Sequence, residues 1–162
     1  MDVRYINPFL QAVYTVFETM LQTSPTRRTL SLAGGRVKSA GPVALIGMSG
    51  PAQGVVALYF PTQTVLTLVN RWLGLELTEV DATVTDAMAE LVNMIAGQAK
   101  VAISAEMPVP IDLGLPTVIR GSDFDVGYPG AAPWIEMTFD SDMGPFTLRV
   151  TVAVNNAQGE KQ

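Results

Sequence analysis

The sequence contains no cysteine and no histidine. The first absence removes disulfides, a thiol nucleophile and thiolate metal sites. The second removes a Ser-His-Asp triad, an imidazole base and imidazole metal ligands. Charge is sparse as well: Asp, Glu, Lys and Arg make up 15% of the 162 residues, with a net charge of -5 at pH 7. Nucleic-acid phosphates need a basic face, so an acidic chain argues against nucleic acid as a partner. "TRR" at 26–28 is too short a basic patch to change that. A protein partner presenting a few lysines suits the acidic excess better. No apolar run approaches the roughly 18 residues of a membrane span, and "MDVRYINPFL" lacks the long apolar core of a secretory signal. These exclusions predict a soluble, cytoplasmic protein with no membrane contact, whose chemistry uses carboxylates, amides or hydroxyls.

What remains is globular. Hydrophobic residues make up 48% of the chain, enough for one domain with a sizeable core. We expect that domain over 1–155, with a polar tail over 156–162. Asn7 followed by Pro8 reads as a helix start, Asn as the cap and Pro at the first helical position. Phe9, Leu10, Val13, Val16, Phe17, Met20 and Leu21 then recur with helical period, up to a stop at Pro25. A short strand is suggested within 29–38, although two glycines weaken it. Runs 43–48 and 54–60 flank Gly50 and Pro51 as a hairpin. Pro61 opens a second helix with Val65, Leu66, Val69, Trp72 and Leu73 on one side and Gly74 as its C-terminal cap. A third helix is predicted from Thr83 to Ala105.

Downstream, "IDLGLPTVIRG" suggests a strand with Pro116 inside, hence an edge or a bend. Residues 121–133 read as a loop, and "WIEMTFD" and "PFTLRVTVAV" as a second hairpin. In its last strand Phe146, Leu148, Val150, Val152 and Val154 alternate with Thr147, Arg149, Thr151 and Ala153, which predicts one buried face. Helices set against hairpins make an α/β protein of the α+β type, its helices packed on a largely antiparallel sheet. An exposed outer strand of that sheet is open to pairing with a second copy.

The third helix carries an unusual stripe, "DAMAELVNMIAGQAK". At roughly 100° per residue, Asp86, Asn93 and Gly97 lie about 40°, 60° and 20° to the same side of Glu90. Val84, Met88, Leu91, Ile95, Ala99 and Ala102 cluster on the opposite side. Any amphipathic helix needs a polar side, and the three polar residues are ordinary choices for one. The glycine is less ordinary, since in mid-helix it costs up to about 1 kcal/mol against alanine. Either close approach of another molecule's backbone or tight packing inside the domain would account for it. Two carboxylates and an amide do not make a metal cage. Nor do carboxylates along one helix face each other across a cleft, as glycoside hydrolysis requires.

Asp86, three residues, Glu90, two residues, Asn93 and, after 22 more, Pro116 together match the signature of the CheC/CheX/FliY family of chemotaxis phosphatases. "YINPFLQAVYTVFETML", "GMSGPAQGVVALYFP", "ELVNMIAGQAK" and "LPTVI" also resemble CheX members in order and spacing. The likeness covers most of the chain, departing mainly in the loop at 121–133 and in the tail. CheC-type members typically carry two such helices; the single copy here resembles the CheX branch.

The resemblance implies a CheC/CheX-like fold and a homodimer joined through the sheets. It also implies an enzyme that dephosphorylates the phospho-aspartate of a CheY-type response regulator receiver in chemotaxis signalling. Asn93 is then the residue that orients the hydrolytic water, and Glu90 the one that pairs with a receiver lysine. Asp86, Met94 and Gly97 are expected at the partner contact, Asp86 with capping, orientation of Glu90 and plain solvation all open. Pro116 would shape a strand near the site. Mg²⁺ would belong to the receiver, leaving this chain with no metal or cofactor of its own. The alternatives are a non-catalytic CheX-like module that binds a receiver or flagellar-switch component, and a structural homodimer.

Overall fold

Phe9, Val13, Val16 and Phe17 recur at helical spacing, and in the computed structural model they form the buried face of α1, Asn7–Met20. The structure describes residues 5–33, 39–106, 111–121, 124, 126–127 and 133–154; the polar tail and part of the 121–133 loop lie outside them. Asn7 is not the cap expected of it. It is already helical, Ile6 holds the cap position, and no side chain caps the first turn. Pro8 still suits the place, because a first-turn N–H has no intrahelical acceptor to lose. The helix stops at Met20, ahead of Pro25, and Gln22 beyond it takes a φ of 52°.

Strand β1, Thr26–Ala33, begins earlier than predicted; positions 34–38 of that reading lie outside the described residues. The first hairpin is β2, Val43–Ser49, and β3, Ala52–Tyr59, turned at Gly50 with a φ of 97°. Pro61 is the N-cap of α2, Thr62–Leu73, and Gly74 closes it in the left-handed conformation at φ 66°, which a residue without Cβ adopts freely. Helix α3 spans Ala82–Ser104. The predicted strand around Pro116 is two short pieces, β4, Asp112–Leu113, and β5, Thr117–Ile119. The second hairpin follows as β6, Trp134–Asp140, and β7, Phe146–Val154. Its turn needs Gly144, which combines a φ of 123° with a position where a Cβ would collide with Thr64.

Among the described residues the strands form one antiparallel sheet in the order β1-β6-β7-β3-β2-β4, with β5 beside β4 on β2. One sheet face presents Ile46, Val56, Leu58, Met137, Leu148 and Val150 to the helices, and this is the main core. Phe146 is its hub. Its ring stacks on Phe17 at 4.5 Å and on Phe139 at 4.9 Å, with Phe60 tilted at 5.7 Å. Aromatic stacking thereby ties α1 to both strands of the second hairpin.

The expectation of a single buried face on β7 is incorrect. Arg149 and Thr151, on its other face, are 0% and 1% exposed. A smaller apolar cluster of Val43, Ala57, Tyr59, Val126 and Trp134 lies on this second side of the sheet. The Arg149 guanidinium lies over the Trp134 ring, 5.1 Å from its centroid, with Glu136 Oε2 3.4 Å from its Nε. Alternation counts faces correctly but does not say whether a second layer covers the polar one. No helix of the described residues is long and apolar enough to cross a membrane.

Candidate functional site

Asp81 sets the phase of α3. Its carboxylate accepts the Val84 N–H at 3.1 Å, capping the first turn. From there Val84, Ala87, Met88, Leu91, Val92, Ile95, Ala96 and Ala99 are all buried. With that broad face committed to the core, Asp86, Glu90 and Asn93 are turned to solvent, as the periodicity predicts. Ala102 departs from the predicted core line and is exposed. It lines a groove of about 480 Å³ between α1 and α3, with Asn7, Gln11 and Thr15 on one wall and Gln98 and Glu106 on the other.

None of Asp86, Glu90 and Asn93 has a side-chain hydrogen bond or ion pair among the described residues. Two carboxylates about one turn apart thus stand without a neutralising cation from this part of the chain. An amide that can donate and accept at once lies at their side. Gly97 is half-buried, and among the described residues no atom outside its own stretch of helix lies within 4 Å of where its Cβ would be. Packing among the described residues therefore gives no reason for this glycine. Along the same direction Val101 is 73% exposed. That residue was legible at about 20° from Glu90 but carries no polar signal to draw attention.

Met94 is half-buried and packs against the core, so only part of its surface faces outward. Pro116 is half-buried in the gap between β4 and β5. Both pieces pair with β2, β4 at Met48 and Ser49 and β5 at Val43 to Leu45. Between them the Gly114 N–H donates to Gly47 O at 2.9 Å. A residue without an N–H is tolerated there because the strand is an outer one. β5 packs beside α3, and Arg120, just past it, donates to Val80 O at 3.3 Å. The fold thus sets the Pro116 segment alongside the helix that carries the stripe.

The stripe holds two carboxylates and an amide, which can attract a cation and orient a water by donating and accepting hydrogen bonds at once. Among the described residues no group of three or more acidic side chains is placed to hold a metal ion.

A family described as chemotaxis phosphatase CheX matches residues 42–140 of this chain. The chain is 29% identical over 128 residues to the CheY-P phosphatase CheX of Thermotoga maritima, spanning 78% of this chain and 81% of that protein. A solved CheC-like superfamily protein from Shewanella sp. PV-4 superposes with a TM-score of 0.86 at 29% identity, over 94% of this chain and 99% of that one. CheX from Borrelia burgdorferi, solved as a complex with CheY, BeF3 and Mg²⁺, has the same fold. Its TM-score is 0.80 at 20% identity, over 93% of this chain and 99% of that one.

Proposed function

Because the chain belongs to the chemotaxis phosphatase CheX family, we propose that it hydrolyses the phospho-aspartate of a CheY-type receiver, using the exposed stripe of α3. The observation that carries this reading is the trio Asp86, Glu90 and Asn93, presented outward on a capped helix and unengaged by the described residues. An acyl phosphate is already activated. Water attacks phosphorus, the bond from phosphorus to the aspartate oxygen breaks, and inorganic phosphate leaves with the carboxylate restored. Catalysis then consists largely of holding the water in line.

Asn93 takes that task, its amide accepting from the water and donating to a phosphoryl oxygen without exchanging a proton. Glu90 docks on a receiver lysine and sets the register of the helix in the receiver's cleft. Asp86, one turn earlier, adds negative charge facing the same partner; Gly97 allows the partner's backbone to come close, and the outer part of Met94 contributes apolar contact. Pro116 holds the edge segment beside α3. Mg²⁺ sits on the receiver, as the metal in the solved Borrelia burgdorferi complex with CheY suggests, and this chain supplies no ligand cage for it. A soluble cytoplasmic setting fits such a partner.

The working unit is a homodimer paired through β1. That strand ends the sheet, is exposed from Thr26 to Leu32 and offers Leu30 and Leu32, 45% and 68% exposed. The opposite edge is broken into pieces of two and three residues. Light scattering that finds a monomer at assay concentrations removes this part of the proposal.

The test is phosphate release from a phosphorylated CheY-type receiver with Mg²⁺, using wild type, Glu90→Ala and Asn93→Ala. Wild type should accelerate release, and each variant should lose at least about a hundredfold of that effect, the low end of what one positioned group contributes. Both sites are exposed, so unfolding free energy should change by no more than about 0.5 kcal/mol. Binding of the receiver without acceleration by wild type would instead favour a non-catalytic module.

A further inference from the structure

The exposed stripe of α3 does not end at Gly97. Val101 follows one turn later, about 20° from the Glu90 direction, and is 73% exposed. A lone exposed valine is ordinary, but this one has a setting. It continues the line of Glu90, Asn93 and Gly97, and the backbone between is left open by the glycine, with no atom of the described residues outside its own stretch of helix within 4 Å of a Cβ there. Alongside it runs the groove of about 480 Å³ between α1 and α3, whose walls offer the Gln11 and Gln98 amides and the Glu106 carboxylate.

We propose that Gly97, Val101 and this groove form a second contact for the receiver, outside the receiver's active site. The proposal rests on the phosphatase reading above and names how its partner is held. The occupant follows from size and continuity. A stable interface buries about 800 Å² on each partner, a patch roughly 30 Å across. Val101 lies about 12 Å along the helix axis from Asn93, inside any such patch centred on the amide. A receiver seated over Asn93 therefore covers Val101. The surface it brings carries an apolar side chain for Val101, with hydrogen-bonding or cationic groups for the groove. Such a contact is made equally before and during hydrolysis, so it lowers KM and leaves kcat alone.

Steady-state phosphate release from a phosphorylated CheY-type receiver with Mg²⁺ tests this on wild type, Val101→Ser and Val101→Leu. Val101→Ser should raise KM about fivefold, the worth of burying most of a valine side chain, with kcat unchanged. Val101→Leu should restore KM to within about twofold, because an apolar contact asks for area and not for a given shape. An active wild type together with an unaltered KM in Val101→Ser overturns the second contact and leaves the phosphatase reading standing. A fall in kcat at constant KM overturns it too. A wild type that releases no phosphate overturns the phosphatase reading, and the second contact falls with it.

Discussion

Gly97→Ala separates what the helix wants from what the site wants. Gly97 lies inside α3, seven residues before its end, and among the described residues no atom outside its own stretch of helix lies within 4 Å of the added Cβ. The methyl therefore meets none of the described residues beyond its own helix, while the helix gains the propensity difference between glycine and alanine, about 1 kcal/mol. For a domain of this size that raises Tm by about 2–4 °C. On the proposed reading, the same methyl meets the partner's backbone in the complex. Overpacking a close contact costs about 1–3 kcal/mol, so receiver dephosphorylation should fall by about fivefold or more. The two readouts move in opposite directions, which an ordinary destabilising substitution does not produce. Calorimetry gives the first and phosphate release from a phosphorylated receiver the second. A raised Tm with unchanged activity refutes the close approach at Gly97. A lowered Tm refutes the open space on which the reasoning rests.

Two further outcomes follow from the fold. Phe146→Ala removes the ring shared by Phe17, Phe60 and Phe139; a loss of about 3–5 kcal/mol is expected in urea unfolding, and a loss below about 1 kcal/mol would show the stack to be incidental. Asp142, in the β6–β7 turn, accepts from Thr23 Oγ1 and from Arg71 Nη1, each at 2.8 Å, and these two hydrogen bonds, that from Thr23 foremost, hold its carboxyl below the ordinary aspartate range. A lowered folded-state pKa contributes stability above the unfolded value, about 3.9, and that contribution disappears as pH falls through the folded value. Wild type should exceed Asp142→Asn at neutral pH by no more than about 1 kcal/mol, since the pair is solvent-screened. The gap should close below about pH 4, and a gap that persists in acid would contradict the assignment.

Much of α3 was legible because its signal is local. Apolar residues at helical period leave one direction free, and Asp86, Glu90 and Asn93 occupy it whatever packs on the other side. The caps were legible in part. Gly74 took the left-handed position because only a residue without Cβ does so at no cost, whereas Asn7 was drawn into the first turn of α1, leaving Ile6 at the cap. The last strand misled because alternation reports two faces without reporting what covers each. Arg149 looks solvent-facing in the sequence, yet it is buried beneath Trp134, a neighbour from the adjoining strand β6.

The sequence by itself determined the periodicities, the turns and the outward side of α3, since these depend on residues a few positions apart. Tertiary structure alone decided the strand order and the splitting of the Pro116 segment into two short pieces that both pair with β2. It also decided that Ala102 lines a groove with α1 and that none of the described residues fills the space over Gly97. Each of these is a meeting, or a failure to meet, between residues far apart in the chain. Local pattern carries no record of such encounters, because the entropy of closing the intervening chain is recovered only when the whole core assembles.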